Sequence, residues 1–126
     1  MAGKRLLVIE DDPANLRLML LLLNAAGYQA TGVASGGEGL EAARRAPPDL
    51  ILCDGRMPDM TGVEVARHIR ADEATADIPM IAVTGLVRTG DTGQLFEAGF
   101  NGFIAKPFDI KAFVSQVSAF LGGAGK

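Results

Sequence analysis

The sequence predicts an α/β protein built on a parallel sheet, on three observations. Short apolar runs alternate with longer amphipathic segments along the chain, the pattern of repeated βαβ units. Runs such as Ile78-Pro79-Met80-Ile81-Ala82-Val83 are apolar throughout, as strands covered on both faces by helices require. Capping residues and glycines fall between the two kinds of segment, where helices start and stop.

Five strands are expected, at about 5–10, 28–33, 49–53, 79–83 and 102–105, and five helices, at about 13–26, 36–46, 62–71, 88–98 and 109–121. Asp12 followed by Pro13 reads as an N-cap and first helical residue, and Gly27 as the stop. Leu18, Met19, Leu22, Leu23 and Ala26 should form the core face of that helix, leaving Leu16, Leu20 and Leu21 on its flanks or outside. In the last helix Asp109 is the cap, and Ile110, Phe113, Val114, Val117 and Leu121 recur at helical spacing on the face that should pack on the sheet, with Gly122-Gly123 beyond. Gly90, Gly93 and Gly99 punctuate the fourth helix, and an interior Gly costs about 1 kcal/mol relative to Ala. Its first turns should be marginal, which suits either a glycine-rich loop or a switch element.

A chain of 126 residues fits one domain (1–126, core about 5–121) with one core and no output domain. The formal charge of −3 and pI near 5.0, with no dense block of Lys and Arg, give no electrostatic footprint for nucleic acid. The single Cys53 allows no internal disulfide and no cysteine-based zinc site, and the single His68 builds no histidine cluster. The apolar stretch Leu18 to Leu23 is far short of the roughly 20 residues that span a bilayer. No signal-peptide organisation precedes Leu6-Leu7-Val8-Ile9. A soluble protein of the reducing cytoplasm is expected.

Four strands end in groups suited to phosphoryl chemistry: Glu10-Asp11-Asp12, Asp54, Thr84 and Lys106-Pro107. In an open parallel sheet ligands bind at the carboxyl ends of the strands, so these groups should converge. Asp12 is best used as a helix cap. Glu10, Asp11 and Asp54 together would repel one another and raise at least one pKa, a conflict that a hard divalent cation resolves. Mg²⁺, or Mn²⁺ in its place, is the cofactor expected. Asp54, held from behind by a buried strand and followed by a turn at Pro58 and Gly62, can attack phosphorus to give an acyl phosphate. Lys106 supplies a cation for Asp54 and then for a phosphoryl oxygen, Thr84 a hydroxyl for another, and the Lys106-Pro107 bond suits the cis form found in tight turns.

Along residues 5 to 121 the chain resembles the receiver domains of two-component response regulators, of the single-domain chemotaxis or cell-division type. The resemblance rests on ordered pieces: Val8-Ile9-Glu10-Asp11-Asp12, Asp54 with Met57-Pro58 and Gly62, Ile81-Ala82-Val83-Thr84, and Ala105-Lys106-Pro107-Phe108. It implies a flavodoxin-like doubly wound (βα)5 three-layer sandwich with sheet order 2-1-3-4-5, an order associated with this kind of protein. It also implies a histidine kinase or histidine phosphotransfer protein as donor to Asp54. Mg²⁺ would be held by Glu10, Asp11, Asp54 and the backbone carbonyl of Arg56, with Thr84 and Lys106 on the phosphate and Phe103 as the switch aromatic. Such a domain is not an enzyme on other molecules and catalyses only its own phosphorylation and dephosphorylation.

The chain departs from the common pattern in places. Gly55 stands where a bulky apolar residue is more frequent and is expected to loosen the rear wall of the site. The Arg56 guanidinium should cross the site mouth. Gly85 replaces a frequent alanine, and Phe103 lacks the hydroxyl of the equally common tyrosine, so switching must work by packing. The leucines around the first helix suggest a docking surface for the phosphodonor's helices, and the fourth helix, fifth strand and fifth helix suggest an output face for a downstream protein.

Other classes share parts of this pattern. A haloacid-dehalogenase-like phosphatase needs a second carboxylate two residues after its nucleophile, where this chain has Arg56. An FMN carrier of the flavodoxin type needs a phosphate-cradling first loop, where this chain has Glu10-Asp11-Asp12. A pseudo-receiver that binds partners without phosphorylation, and a receiver domain cut from a hybrid histidine kinase, share the fold.

Overall fold

The computed structural model of the protein describes residues 3–85 and 91–121, with only the backbone of Asp91 and Thr92. Strands β1 (Arg5–Ile9), β2 (Gln29–Val33), β3 (Leu50–Asp54), β4 (Met80–Thr84) and β5 (Gly102–Ala105) alternate with helices α1 (Pro13–Ala25), α2 (Gly36–Arg45), α3 (Gly62–Ala71), α4 (Asp91–Ala98) and α5 (Ile110–Phe120). The strands form one sheet in the order β2-β1-β3-β4-β5, and every pairing is parallel. Residues 88–90 of the expected fourth helix, Gly90 among them, and Gly122-Gly123 lie outside the described residues.

The period of two in the strands divides the core into two layers. Leu6, Val8, Leu50, Leu52, Ile81, Val83 and Ile104 pack with Met19 and Leu23 of α1 and Phe113 and Val117 of α5. On the other face Leu7, Ile9, Ile51, Cys53, Met80 and Ala82 pack with Ala43 of α2, Val65, Ala66 and Ile69 of α3, and Ala98 of α4. Both layers are apolar, which explains why β3 and β4 read as continuous hydrophobic runs.

The caps do what their sequences suggest. The Asp12 side chain accepts from Ala14 N (3.0 Å) and that of Asp109 from Lys111 N (2.9 Å). Gly27, at φ +101°, turns the chain after α1, a conformation that costs glycine little. The Lys106-Pro107 bond is cis.

Two side-chain expectations change, and the one for the flanking leucines of α1 is made more specific. Ala26 is exposed at the C-cap of α1. Ile110 is 53% exposed, because it opens α5 on the rim of a hollow shared with Asn15, Leu18, Lys106 and Phe108, while Phe113 and Val117 carry the packing face. Leu16 and Leu20 are half-buried: their methyl groups occupy the space that a Cβ on Gly32 of β2 would need. Of the α1 leucines only Leu21, 65% exposed, stands fully in solvent.

Arg70, near the end of α3, ties three elements together. Its guanidinium donates to the carbonyls of Gly99 (3.1 and 2.7 Å), Ala76 (2.8 Å) and Ile78 (2.6 Å) and to Asn101 Oδ1 (3.0 Å). Asn101 Oδ1 also accepts from Met80 N (2.8 Å) at the start of β4. Arg70→Ala orphans carbonyls that no shorter side chain can reach, and should destabilise the fold by about 2–3 kcal/mol. Denaturant unfolding measures this, and an unchanged midpoint would show that the network adds nothing net.

Candidate functional site

Parallel pairing puts the carboxyl ends of all five strands at one edge, and the order β1-β3-β4-β5 sets the polar ends side by side. Oxygens of Glu10, Asp11 and Asp54 lie within 4.8 Å of one another. Lys106 Nζ reaches Glu10 Oε1 at 2.8 Å and Asp54 Oδ1 at 3.4 Å. Leu50 and Leu52 face α1 and α5, so Asp54, two residues on, emerges on that side. Met80 and Ala82 face α2, α3 and α4, so Thr84 enters from the opposite side of the sheet. Glu10, Asp11, Asp54 and Lys106 are therefore brought together, with the lysine bridging Glu10 and Asp54.

Glu10 is almost wholly buried. A buried carboxylate needs a partner, and it has Lys106 together with the amide of Asp12 at 3.2 Å. Burial, followed by the charge of Glu10, holds the Asp54 carboxyl above its ordinary pKa, with Lys106 opposing. Asp11 is raised as well, by burial and then by its interaction with Asp54. Burial pushes the Lys106 ammonium down, but its hydrogen bond to Glu10 and the charges of Glu10 and Asp54 outweigh this and leave it raised. The repulsion expected from the sequence is present, and one ammonium does not relieve it.

The loop after Asp54 is held at several points. Arg56 N approaches Asp54 Oδ1 at 3.4 Å, Arg56 pairs with Thr61 in an antiparallel bridge, and Gly62 N donates to Gly55 O (2.9 Å). A Cβ on Gly62 would stand 2.7 Å from the carbonyl oxygen of Asp54. Thr61 and Glu64 then form a reciprocal capping box that starts α3. From the far side of the loop the Asp59 carboxylate accepts from Gly36 N (2.9 Å) and Gly37 N (2.8 Å) of α2. That clamp has no local sequence signal, because its partners lie more than twenty residues upstream.

The expectation for Gly55 is corrected. A Cβ there would lie 2.7 Å from Thr84 Oγ1 and 3.1 Å from its Cβ, so the rear wall is filled by Thr84 rather than loosened. A Cβ on Gly85 would make only ordinary contacts, at 3.8 Å or more, so the change from alanine is minor. Arg56 is exposed and lines a cavity of about 430 Å³ with Gly55, Thr61, Arg67, Thr84 and Leu95. Phe103 is partly buried against the layer that holds α2, α3 and α4.

Three facing carboxylates against one ammonium fit a hard, oxygen-seeking divalent cation. The set contains no thiolate or imidazole that would favour zinc.

A parallel α/β sheet that carries three close carboxylates and a lysine at its carboxyl edge has the build of a two-component signalling domain. The chain belongs to the response regulator receiver domain family, whose model matches residues 6–118. It is 36% identical over 121 residues to the polar-differentiation response regulator DivK of Brucella ovis, covering 96% of this chain and 98% of that protein. Among solved structures it is similar to the receiver domain of the sensor histidine kinase PA1611 from Pseudomonas aeruginosa PAO1, at 35% identity and a TM-score of 0.87 over 96% of this chain and 99% of that one. That structure has a magnesium ion coordinated in its active site cleft. The chemotaxis response regulator CheY4 of Vibrio cholerae, 24% identical, shares the fold with a TM-score of 0.90 over 94% of this chain and 99% of its own. Among the described residues no helix is long and apolar enough to cross a membrane.

Proposed function

We propose that Asp54 receives a phosphoryl group from a phosphohistidine on a histidine kinase or histidine phosphotransfer protein, in a Mg²⁺-dependent reaction in the cytoplasm. The observation that carries this reading is the position of Asp54, within reach of Glu10 and Asp11 and 3.4 Å from Lys106 Nζ. A carboxylate oxygen attacks phosphorus, the P–N bond breaks with its electron pair on the donor imidazole, and an acyl phosphate remains on Asp54. Glu10, Asp11, Asp54 and the Arg56 carbonyl would hold the metal, which neutralises charge on the transferring group. Lys106 exchanges its contact with Asp54 for a phosphoryl oxygen, and the Thr84 hydroxyl binds another. The raised pKa of Lys106 keeps it charged for that role.

A donor docks beside the mouth, where Leu18, Pro107 and Ile110 surround an apolar hollow of about 320 Å³. This narrows the docking surface from the whole of α1 to its first turns and the β5–α5 loop, since Leu16 and Leu20 are engaged with β2. The output signal leaves through the α4-β5-α5 face: Thr84 moves toward the phosphoryl group, Phe103 follows, and a downstream protein reads the shifted population. The test is incubation with acetyl phosphate, with and without Mg²⁺, followed by intact mass and peptide mapping. A mass gain of one phosphoryl group on Asp54 only with Mg²⁺ is expected, and none under either condition would favour a pseudo-receiver.

Gly55 bears on the same reaction. Gly55→Ala must displace Thr84, and should slow phosphorylation by about tenfold, since small misplacements of catalytic groups cost on that order. A time course of the mass gain measures it. An unchanged rate would mean that Thr84 is not needed on the phosphate.

A further inference from the structure

We infer that Asp59 is a positioning residue for the phosphoryl-transfer site, clamping the β3–α3 loop to the start of α2 so that the Arg56 carbonyl stays aimed at the metal. The inference rests on the function proposed above. The first amides of a helix have no partner within it, and in α2 they are divided between two sources. Ser35 Oγ accepts from Glu38 N (3.2 Å), as a local cap does. Gly36 N and Gly37 N are instead taken by the two oxygens of Asp59, one each, at 2.9 and 2.8 Å.

The neighbouring side chains fit this arrangement. Met60 lies against Gly36, where a Cβ would come within 2.4 Å of its Cγ and 2.8 Å of its sulfur, so glycine is needed for the loop to approach. A Cβ on Gly39, one turn on, would stand 2.3 Å from Ile9 Cδ1, so α2 is seated on the strand that leads into Glu10 and Asp11. The clamp therefore joins the loop bearing Arg56 to the helix packed on β1, the strand that leads into Glu10 and Asp11. Inside the loop Met57 N donates to Met60 O (3.2 Å) and Arg56 bridges to Thr61, so Asp59 is coupled to Arg56 through one closed turn and the bridge that flanks it. A carboxylate also complements the positive end of a helix. The hydrogen bonds from Gly37 and then Gly36 hold the Asp59 carboxyl below its ordinary pKa.

The test compares the full chain with Asp59→Ala, Asp59→Asn and Ser35→Ala. Mg²⁺ affinity is read by calorimetry, and the Mg²⁺ dependence of phosphorylation by acetyl phosphate from intact mass. Asp59→Ala should weaken Mg²⁺ binding about tenfold, the low end for groups that hold metal ligands in place. The half-saturating Mg²⁺ should rise by the same factor, while the rate at saturating Mg²⁺ stays within about twofold of wild type, because the reacting groups are untouched. Asp59→Asn, which keeps one acceptor oxygen, should fall between. Ser35→Ala weakens the start of α2 without opening the clamp and should leave Mg²⁺ affinity as it was. Wild-type affinity in Asp59→Ala, or an equal loss in Ser35→Ala, would overturn the inference and leave the proposed function standing. A wild-type chain that binds no Mg²⁺ and gains no phosphoryl group would sink both.

Discussion

Asp54→Asn is expected to abolish the phosphoryl gain altogether and, in the absence of Mg²⁺, to raise the unfolding temperature. The amide is no nucleophile toward phosphorus, so loss of the reaction should be complete by mass. The stability effect follows from crowding. Asp54 and Asp11 both have raised pKa values in the fold, with burial as the leading cause. Their contribution to stability is fully present below the unfolded carboxylate pKa of about 3.9 and is lost as pH rises through the raised folded values. The metal-free chain should therefore lose stability as pH climbs from about 4 through that window, and Mg²⁺ should restore it by binding the folded form alone. Removing one charge should gain on the order of 1 kcal/mol, about 3 °C for a domain of this size. Calorimetry at several pH values, with Mg²⁺ and with chelator, measures both parts. Phosphoryl gain at the wild-type rate in Asp54→Asn would place the acceptor elsewhere, and an unchanged unfolding temperature would show that Lys106 already balances the pocket.

Gly62→Ala should damage fold and site together. The new Cβ would meet backbone on both near contacts, the Asp54 carbonyl oxygen at 2.7 Å and Gly55 Cα at 3.2 Å. Backbone has no rotamer with which to yield, so α3 must move off the strand or Asp54 must turn. A loss of about 3 kcal/mol is expected, at the upper end for overpacking. Gly62 N also donates to Gly55 O at 2.9 Å, and a displaced helix stretches that bond. Phosphorylation of whatever fraction stays folded should slow by more than tenfold. Denaturant unfolding and the mass time course decide it: wild-type behaviour in both would mean that the helix start is far softer than its contacts imply.

Much of the fold was legible because its signals are local. β3 and β4 read as strands since burial on both faces leaves no room for a polar residue, and α1 and α5 showed their caps in Asp12 and Asp109. Their faces were less legible. Ile110 keeps the helical spacing of Phe113 and Val117, yet it stands 53% exposed, because periodicity gives a direction around an axis and not where the sheet ends along it. Leu16 and Leu20 looked like surplus leucines. They are taken up by Gly32 on β2, whose missing side chain lets them close on the strand.

The site divides in the same way. Glu10, Asp11, Asp54, Thr84 and Lys106 were legible as candidates because parallel strands all end at one edge, so their positions follow from chain order and strand length. Glu10 buried under Lys106, Thr84 drawn against Gly55, Asp59 reaching back to α2 and Arg70 binding the carbonyl of Gly99 were not. Each is a contact between residues far apart in sequence, and no spacing rule links them. By itself the sequence determined the layered α/β fold and the candidate reacting groups, because hydrophobic period and strand-end chemistry are properties of short segments. Only the tertiary structure decided how those groups are held, because a hydrogen bond of 2.8 Å between residues twenty or ninety positions apart exists only once the sheet order and helix packing have brought them together.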